Sequence, residues 1–267
     1  MRGRGPAGLQ RQLEPPYSAA WGGYTVTVVS LSVVQQRFRI QAPGGEVLRE
    51  IRAPFINLVD YPDLDGRHRH EFLRVVTHPE SNRLADIRTY CFTRRGGLRN
   101  VLAMPYGFDT LLDLDGDGRP ELISDDPAPL EWISGLAHGF DPSVPVVLRW
   151  DGKRYVVASH RFPAVARRKA DAYRVELFLS LQRFRENLAG DGSDSSTRDQ
   201  ALRAALGYWA SLATLGEEQK AQPWLVRTLH PSLRDTFLES LPEVRQQLAL
   251  LPSQITTDSR RKISPVE

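Results

Sequence analysis

Residues 113–122 carry oxygen-bearing side chains at the spacing that a metal ion requires. Their sequence, DLDGDGRPEL, places carboxylates at the first, third, fifth and ninth positions and a glycine, Gly118, at the sixth. The glycine permits a tight turn, so that alternate side chains converge on one point and the seventh residue can offer a backbone carbonyl. Oxygen-only ligation favours calcium over zinc or copper. The predicted Ca²⁺ ligands are the side chains of Asp113, Asp115, Asp117 and Glu121 and the backbone carbonyl of Arg119.

This acidic loop differs from an EF-hand. The last carboxylate of an EF-hand loop is at the twelfth position, and the loop connects two helices. Here the last carboxylate is at the ninth position, and the apolar residues Leu122 and Ile123 that follow it begin a predicted strand. We therefore expect a calcium loop at the entry to a β-strand.

A second copy of the acidic loop begins at Asp63, fifty residues before Asp113. It keeps the DLDG opening and a glutamate, Glu71, at the ninth position, but Arg67 replaces the aspartate found at the fifth position. A guanidinium group can neutralise neighbouring carboxylates without a metal. We therefore expect the upstream loop to be held by salt bridges rather than by calcium.

Predicted hairpins alternate with the two acidic loops. They lie at residues 38–51, 87–102 and 146–158, and each joins two short runs rich in apolar residues. The third turns at Asp151-Gly152, a pair that is among the strongest short-range signals for a hairpin. The alternation of hairpin and loop predicts an antiparallel, β-rich domain of blade-like hairpins.

In these features the chain resembles the FG-GAP or VCBS-type calcium repeats known from the propeller blades of integrin α-subunits. The resemblance covers about residues 55–163, with repeats at about 55–102 and 105–160, and it implies calcium binding outside the cytoplasm. A closed propeller needs at least about four blades, so two repeats predict a small open sheet or sandwich instead. The matching residues are Asp113, Asp115, Asp117, Gly118 and Glu121, with a weaker copy at Asp63, Asp65, Gly66 and Glu71.

The hydrophobic period changes after Pro163. Apolar residues recur at steps of three and four between 165 and 188, which predicts an amphipathic helix. A capping box starting at Thr197 predicts a second helix through Leu215. Pro231 and Pro242 each predict the start of a shorter helix.

The fold class predicted from these patterns is α+β. We expect a disordered N-terminus at 1–20, a β-domain at 21–163, a helical region at 164–252 and a disordered tail at 253–267. The single cysteine, Cys91, excludes an internal disulfide and is expected to be a buried, inert thiol.

Composition limits the classes of partner. The 267 residues carry a formal net charge of only +3, and the arginines are scattered, so a nucleic-acid-binding surface is not expected. The sequence predicts no transmembrane span. Weak calcium modules need roughly millimolar calcium, which favours a periplasmic or extracellular protein whose export signal precedes Met1. The alternative is a cytoplasmic protein.

The function expected from the sequence is that of a non-catalytic, exported bacterial module that binds calcium and contacts another protein or a surface polymer. The motifs of a nucleophile elbow, a phosphate-binding loop and a dinucleotide-binding loop are all lacking. One alternative is a metal-dependent hydrolase that uses His68 and His70, which point to one side in an extended backbone. Another is a cytoplasmic structural protein with vestigial acidic loops.

Overall fold

The structure is a computed structural model. Strands precede helices along the chain, which confirms the predicted α+β class. Among the described residues, no helix is long and apolar enough to cross a membrane. The residues that the structure describes are 16–33, 35–61, 72–78, 88–93, 97–104, 110–124, 130, 133, 135–137, 140–190 and 194–254.

The strands of the described residues form three four-stranded sheets in which neighbouring strands are consecutive in the chain. The sheets are β1-β2-β3-β4, β5-β6-β7-β8 and β9-β10-β11-β12. Each sheet is thus a meander, the strand order of a propeller blade. The strands are β1 (Tyr17–Trp21), β2 (Tyr24–Ser32), β3 (Gln35–Gln41), β4 (Val47–Ala53), β5 (Phe55–Tyr61), β6 (Phe72–His78), β7 (Arg88–Thr93), β8 (Arg99–Met104), β9 (Thr110–Leu112), β10 (Glu121–Ser124), β11 (Val146–Trp150) and β12 (Tyr155–Val157).

The three predicted hairpins are confirmed as β3–β4, β7–β8 and β11–β12. The prediction that residues 1–20 are disordered is wrong for residues 17–20, because β1 begins at Tyr17. β1 pairs with β2 in continuous register from Tyr17 opposite Val28 to Trp21 opposite Tyr24. Burial of Trp21, which is 6% exposed, holds this first hairpin in the fold.

The first two sheets share one hydrophobic core. Buried residues of β2 and β3 pack with buried residues of β5, β6 and β7. The rings of Phe38 and Phe92 stack with their centroids 6.1 Å apart. The backbone N–H of Ile56 donates to Oε1 of Gln36 at 2.7 Å. The first two sheets are therefore joined by a common set of buried side chains.

Cys91 lies in this β-rich region and is buried, as the sequence predicts. Burial raises the pKa of its thiol to about 12, although the nearby Arg74 acts in the opposite direction. A thiol with so high a pKa is almost wholly protonated at neutral pH and is a poor nucleophile or metal ligand.

Four helices follow the strands in the described chain: α1 (Pro163–Ala189), α2 (Ser195–Ala213), α3 (Glu218–Thr228) and α4 (Pro231–Gln254). The predicted capping box is wrong, because Asp194 caps α2 by accepting a hydrogen bond from the N–H of Ser196. Thr197 donates instead to the carbonyl of Asp194.

The helix start predicted at Pro231 is confirmed, but the second helix start predicted at Pro242 is wrong. Pro242 lies inside α4, which continues two residues into the predicted tail. The buried side chains of Phe237, Leu241 and Val244 lie on both sides of Pro242. Burial of this face outweighs the local cost of the proline, which removes one helical hydrogen bond.

The chain divides into two compact units, and the division does not follow the predicted boundary after Pro163. Unit 1 comprises Met1–Leu122, Arg149–Val156 and Gln254–Glu267. Unit 2 comprises Ile123–Leu148 and Val157–Ser253. Specific contacts attach the first segment of unit 2 to its helices, including a hydrogen bond of 2.7 Å from the N–H of Ser143 to the hydroxyl of Tyr173.

Tyr173 is the central packing residue between α1 and α2 in unit 2. It is 2% exposed, and its hydroxyl also donates to the carbonyl of Ser143 at 3.1 Å. A Cβ atom at Gly207 on α2 would lie only 2.4–2.6 Å from three ring atoms of Tyr173. The close approach of the two helices therefore requires a glycine at this position.

We predict that Gly207→Ala lowers the free energy of unfolding by about 1–3 kcal/mol, because the anchored Tyr173 ring cannot move away from the added methyl group. The better helix propensity of alanine, about 1 kcal/mol, only partly offsets this clash. Gly190→Ala is the control, since a Cβ there would lie 3.5 Å from its nearest neighbour and should change stability by less than about 0.5 kcal/mol. Urea unfolding followed by circular dichroism measures both variants, and equal stabilities would contradict the packing argument.

Candidate metal centre

The acidic loop predicted to bind calcium connects β9 to β10 in unit 1. Gly116 and Gly118 adopt φ angles of +75° and +79°. These left-handed conformations are unfavourable for residues that carry a Cβ atom. The two glycines let the chain reverse within a few residues, so that the three aspartates of the loop can turn towards one centre.

Three aspartates of the loop come together as the sequence predicts. Asp113, Asp115 and Asp117 each offer a carboxylate oxygen, and these three oxygens lie within 4.8 Å of one another. Their orientation is set by backbone amides of the same loop. The N–H of Gly118 donates to Asp113 at 2.9 Å, and the N–H of Arg119 donates to Asp117 at 2.9 Å. The carboxylates are therefore held in place by the loop itself.

Glu121 lies at the start of β10 and is fully buried, with 0% of its surface exposed. Its Oε2 accepts a hydrogen bond of 2.9 Å from the N–H of Leu114, whereas its Oε1 is buried without a hydrogen bond. Burial raises the pKa of this carboxyl; the Leu114 bond opposes the shift, and the negative charges of Asp115 and Asp117 add to it. Glu121 is thus a buried acid beside the aspartate group but not a member of it.

A residue that the sequence analysis did not identify, Arg149 of β11, links the aspartates to Glu121. Its terminal nitrogen lies 2.7 Å from Asp117 and 3.3 Å from Asp115, and its Nε lies 3.6 Å from Oε1 of Glu121. Four carboxylates and one guanidinium leave a formal charge of −3 around this centre. One arginine therefore neutralises only part of the negative charge of the loop.

The five predicted ligands therefore fall into three groups in the structure. Asp113, Asp115 and Asp117 are brought together, while Glu121 is connected to them through Arg149. Arg119 belongs to the loop through its N–H, which is bound to Asp117. Carboxylate, carbonyl and amide groups arranged in this way can hold a hard cation.

The second acidic loop, with Asp63, Arg67 and Glu71, lies outside the described residues, as do His68 and His70 of the hydrolase alternative. In the chain this loop connects β5 to β6. It thus occupies the first connection of the second meander, just as 113–120 occupies the first connection of the third. The two copies of the motif occur at equivalent places in successive sheets.

Comparisons with models of known protein families, with curated proteins and with solved structures found no match to this chain. The resemblance to calcium-binding repeats therefore depends on the loop motif.

We predict that Arg149→Gln lowers the free energy of unfolding by about 1–3 kcal/mol when a chelator is present, because buried Glu121 and its acidic neighbours lose their contacting cation. Arg154→Gln is the matched control, since Arg154 is an exposed arginine on the same hairpin and pairs only loosely with Asp151, at 3.8 Å. Its loss should cost less than about 0.5 kcal/mol. Thermal unfolding in EDTA measures both, and an Arg149→Gln variant as stable as the wild type would contradict this role.

Proposed function

We propose that this chain is a non-catalytic calcium-binding module, in which Ca²⁺ stabilises a β-domain that binds another macromolecule. The observation that carries the proposal is the group of three aspartate oxygens within 4.8 Å of one another, beside a buried Glu121 whose Oε1 has no hydrogen bond. A buried carboxylate oxygen without a donor is costly. A cation offsets that cost by attracting the charge directly.

The size and charge of the centre support calcium. Calcium binds oxygens at about 2.3–2.6 Å, so oxygens on opposite sides of one ion are up to about 5 Å apart. The aspartate oxygens, all within 4.8 Å, fit around one such ion. The formal charge of −3 that remains after Arg149 is counted favours a divalent cation, and oxygen donors favour calcium or magnesium over zinc or copper.

We assign each residue of the centre a role in binding the ion. Asp113, Asp115 and Asp117 bind the ion directly, the backbone carbonyl of Arg119 adds a ligand, and Glu121 supplies the fourth carboxylate. The bond from Leu114 to Glu121 holds the two ends of the loop together. Arg149 stabilises the carboxylates when no metal is bound.

The biological setting is proposed from the chemistry of weak calcium sites. Extracellular calcium modules bind with dissociation constants of about 10⁻⁴–10⁻³ M, which matches concentrations outside the cytoplasm. We therefore propose a periplasmic or extracellular location and a protein or surface polymer as the partner. The identity of the partner class depends on the resemblance to integrin-type repeats alone.

Calcium should raise the melting temperature of the wild-type protein relative to EDTA. For a dissociation constant of about 0.1 mM, 10 mM calcium stabilises the folded state by about 2.7 kcal/mol. Asp115→Asn keeps the shape of the side chain but removes one charge, and it should abolish most of this increment. The measurement is differential scanning fluorimetry in EDTA, in 10 mM calcium and in 10 mM magnesium.

Asp171→Asn is the matched control for this experiment. Asp171 is an exposed aspartate on α1 whose ion pair is with Arg174, outside the metal centre. This variant should keep the full calcium increment. A wild-type melting temperature that is the same in EDTA and in calcium would reject the proposed function.

Isothermal titration calorimetry should report one calcium ion per chain. The upstream loop has Arg67 at the fifth ligand position, and its guanidinium should exclude a second ion. Arg67→Asp should create a second, weaker site. Two ions per wild-type chain would contradict the predicted difference between the loops.

A further inference from the structure

Unit 2 contains a groove along α1 and α2 with a volume of about 660 Å³. This volume is within the range of small-molecule sites, about 300–1,000 Å³. One face of α1 lines it with Lys169, Glu176, Ser180 and Arg183 at helical steps of three, four and seven residues. The residues that line the groove all belong to unit 2, whereas the acidic loop belongs to unit 1.

Two of the cations that line the groove are positioned by Tyr173. The ammonium group of Lys169 lies 5.1 Å from the centre of the Tyr173 ring, and the guanidinium of Arg203 lies 5.7 Å from it. Because the ring is anchored at Ser143 and packed against Gly207, these cations are held at fixed places. Cation–π contacts of this kind orient charged side chains.

The charge of the groove is positive. Lys169, Arg183 and Arg203 contribute three positive charges, and Asp141 and Glu176 contribute two negative charges, which leaves a formal charge of +1. Arg203 forms an ion pair with Glu176. The side chain of Arg183 has no hydrogen bond or ion pair with any residue that the structure describes.

Two polar side chains beside Arg183 also lack partners among the described residues. Ser180 is 3% exposed, and its hydroxyl makes no hydrogen bond there. The side-chain amide of Gln200 on α2 is likewise without one. Donor groups at the wall of a groove that have no protein partner can bind an acceptor on a ligand.

We infer that this groove binds a small organic anion. Arg183, Ser180 and Gln200 supply hydrogen-bond donors for the oxygens of a carboxylate or phosphate group, and Leu179 and Phe140 contact an apolar part of the molecule. Arginine suits both kinds of oxyanion because its guanidinium presents donors in a fork. This inference goes beyond the proposed calcium function and does not depend on it.

The test uses the full chain, with phenyl phosphate and benzoate as probes for the two oxyanions. Benzyl alcohol is the neutral probe. We expect saturable binding of at least one aromatic anion by isothermal titration calorimetry or saturation-transfer NMR, and at least tenfold weaker binding of benzyl alcohol. The stronger of the two anions identifies the oxyanion class.

The matched variants are Arg183→Gln and Arg185→Gln, which remove the same charge from two positions that are two residues apart, on different faces of α1. Arg183 lines the groove and Arg185 does not. Arg183→Gln should weaken binding of the preferred anion at least tenfold, and Arg185→Gln should change it less than twofold. Ser180→Ala should weaken it three- to tenfold while the melting temperature stays near that of the wild type.

Three results would overturn the inference: no saturable binding of either anion, equal loss in the two arginine variants, or binding of benzyl alcohol as strong as that of the anions. Each can occur whether or not calcium binds in unit 1. Failure here is therefore distinguishable from failure of the proposed function.

Discussion

The concentration of negative charge between Asp113 and Glu121 constrains how the third sheet can form. Four carboxylates fall within nine residues, and one of them, Glu121, is fully buried. Like charges at such short separations repel unless a cation lies among them. Arg149 supplies one cation from a position 32 residues beyond Asp117. The loop between β9 and β10 therefore depends on a residue of β11, and the remaining charge favours a further cation.

The meander order explains where the acidic loops occur. The first connection of a meander joins two adjacent antiparallel strands, and in the first sheet it is the short turn Gly22-Gly23. In the second sheet the same connection is the ten-residue segment 62–71. In the third sheet it is the eight-residue segment 113–120. A longer connection loses more conformational entropy on folding. In residues 113–120 this loss is offset by hydrogen bonds from backbone amides to carboxylates, and by any cation that they bind.

Local chemistry made part of this structure predictable. The aspartate spacing and the hairpins depend on side chains close in sequence, such as Asp151 and Gly152, and both were predicted. Arg149 was missed because its partners become neighbours only through the strand order. Pro242 was misread because burial along α4 outweighs the proline, which propensity alone cannot show. The boundary of the units also depends on distant contacts, such as that between Ser143 and Tyr173.

A polar group without a partner indicates a bound ion only when the net charge around it is opposite in sign to that ion. Trp209 Nε1 is buried without a hydrogen bond, yet the residue is 0% exposed and packed in the core, with the guanidinium of Arg245 at 5.1 Å from the ring. The indole N–H is a donor without formal charge, so it requires no ion beside it. Glu121 combines an unsatisfied oxygen with excess negative charge, and the groove beside Ser180 combines donor side chains that lack partners among the described residues with a formal charge of +1. The same physical criterion therefore selects a cation in unit 1 and an anion in unit 2, and it rejects the tryptophan.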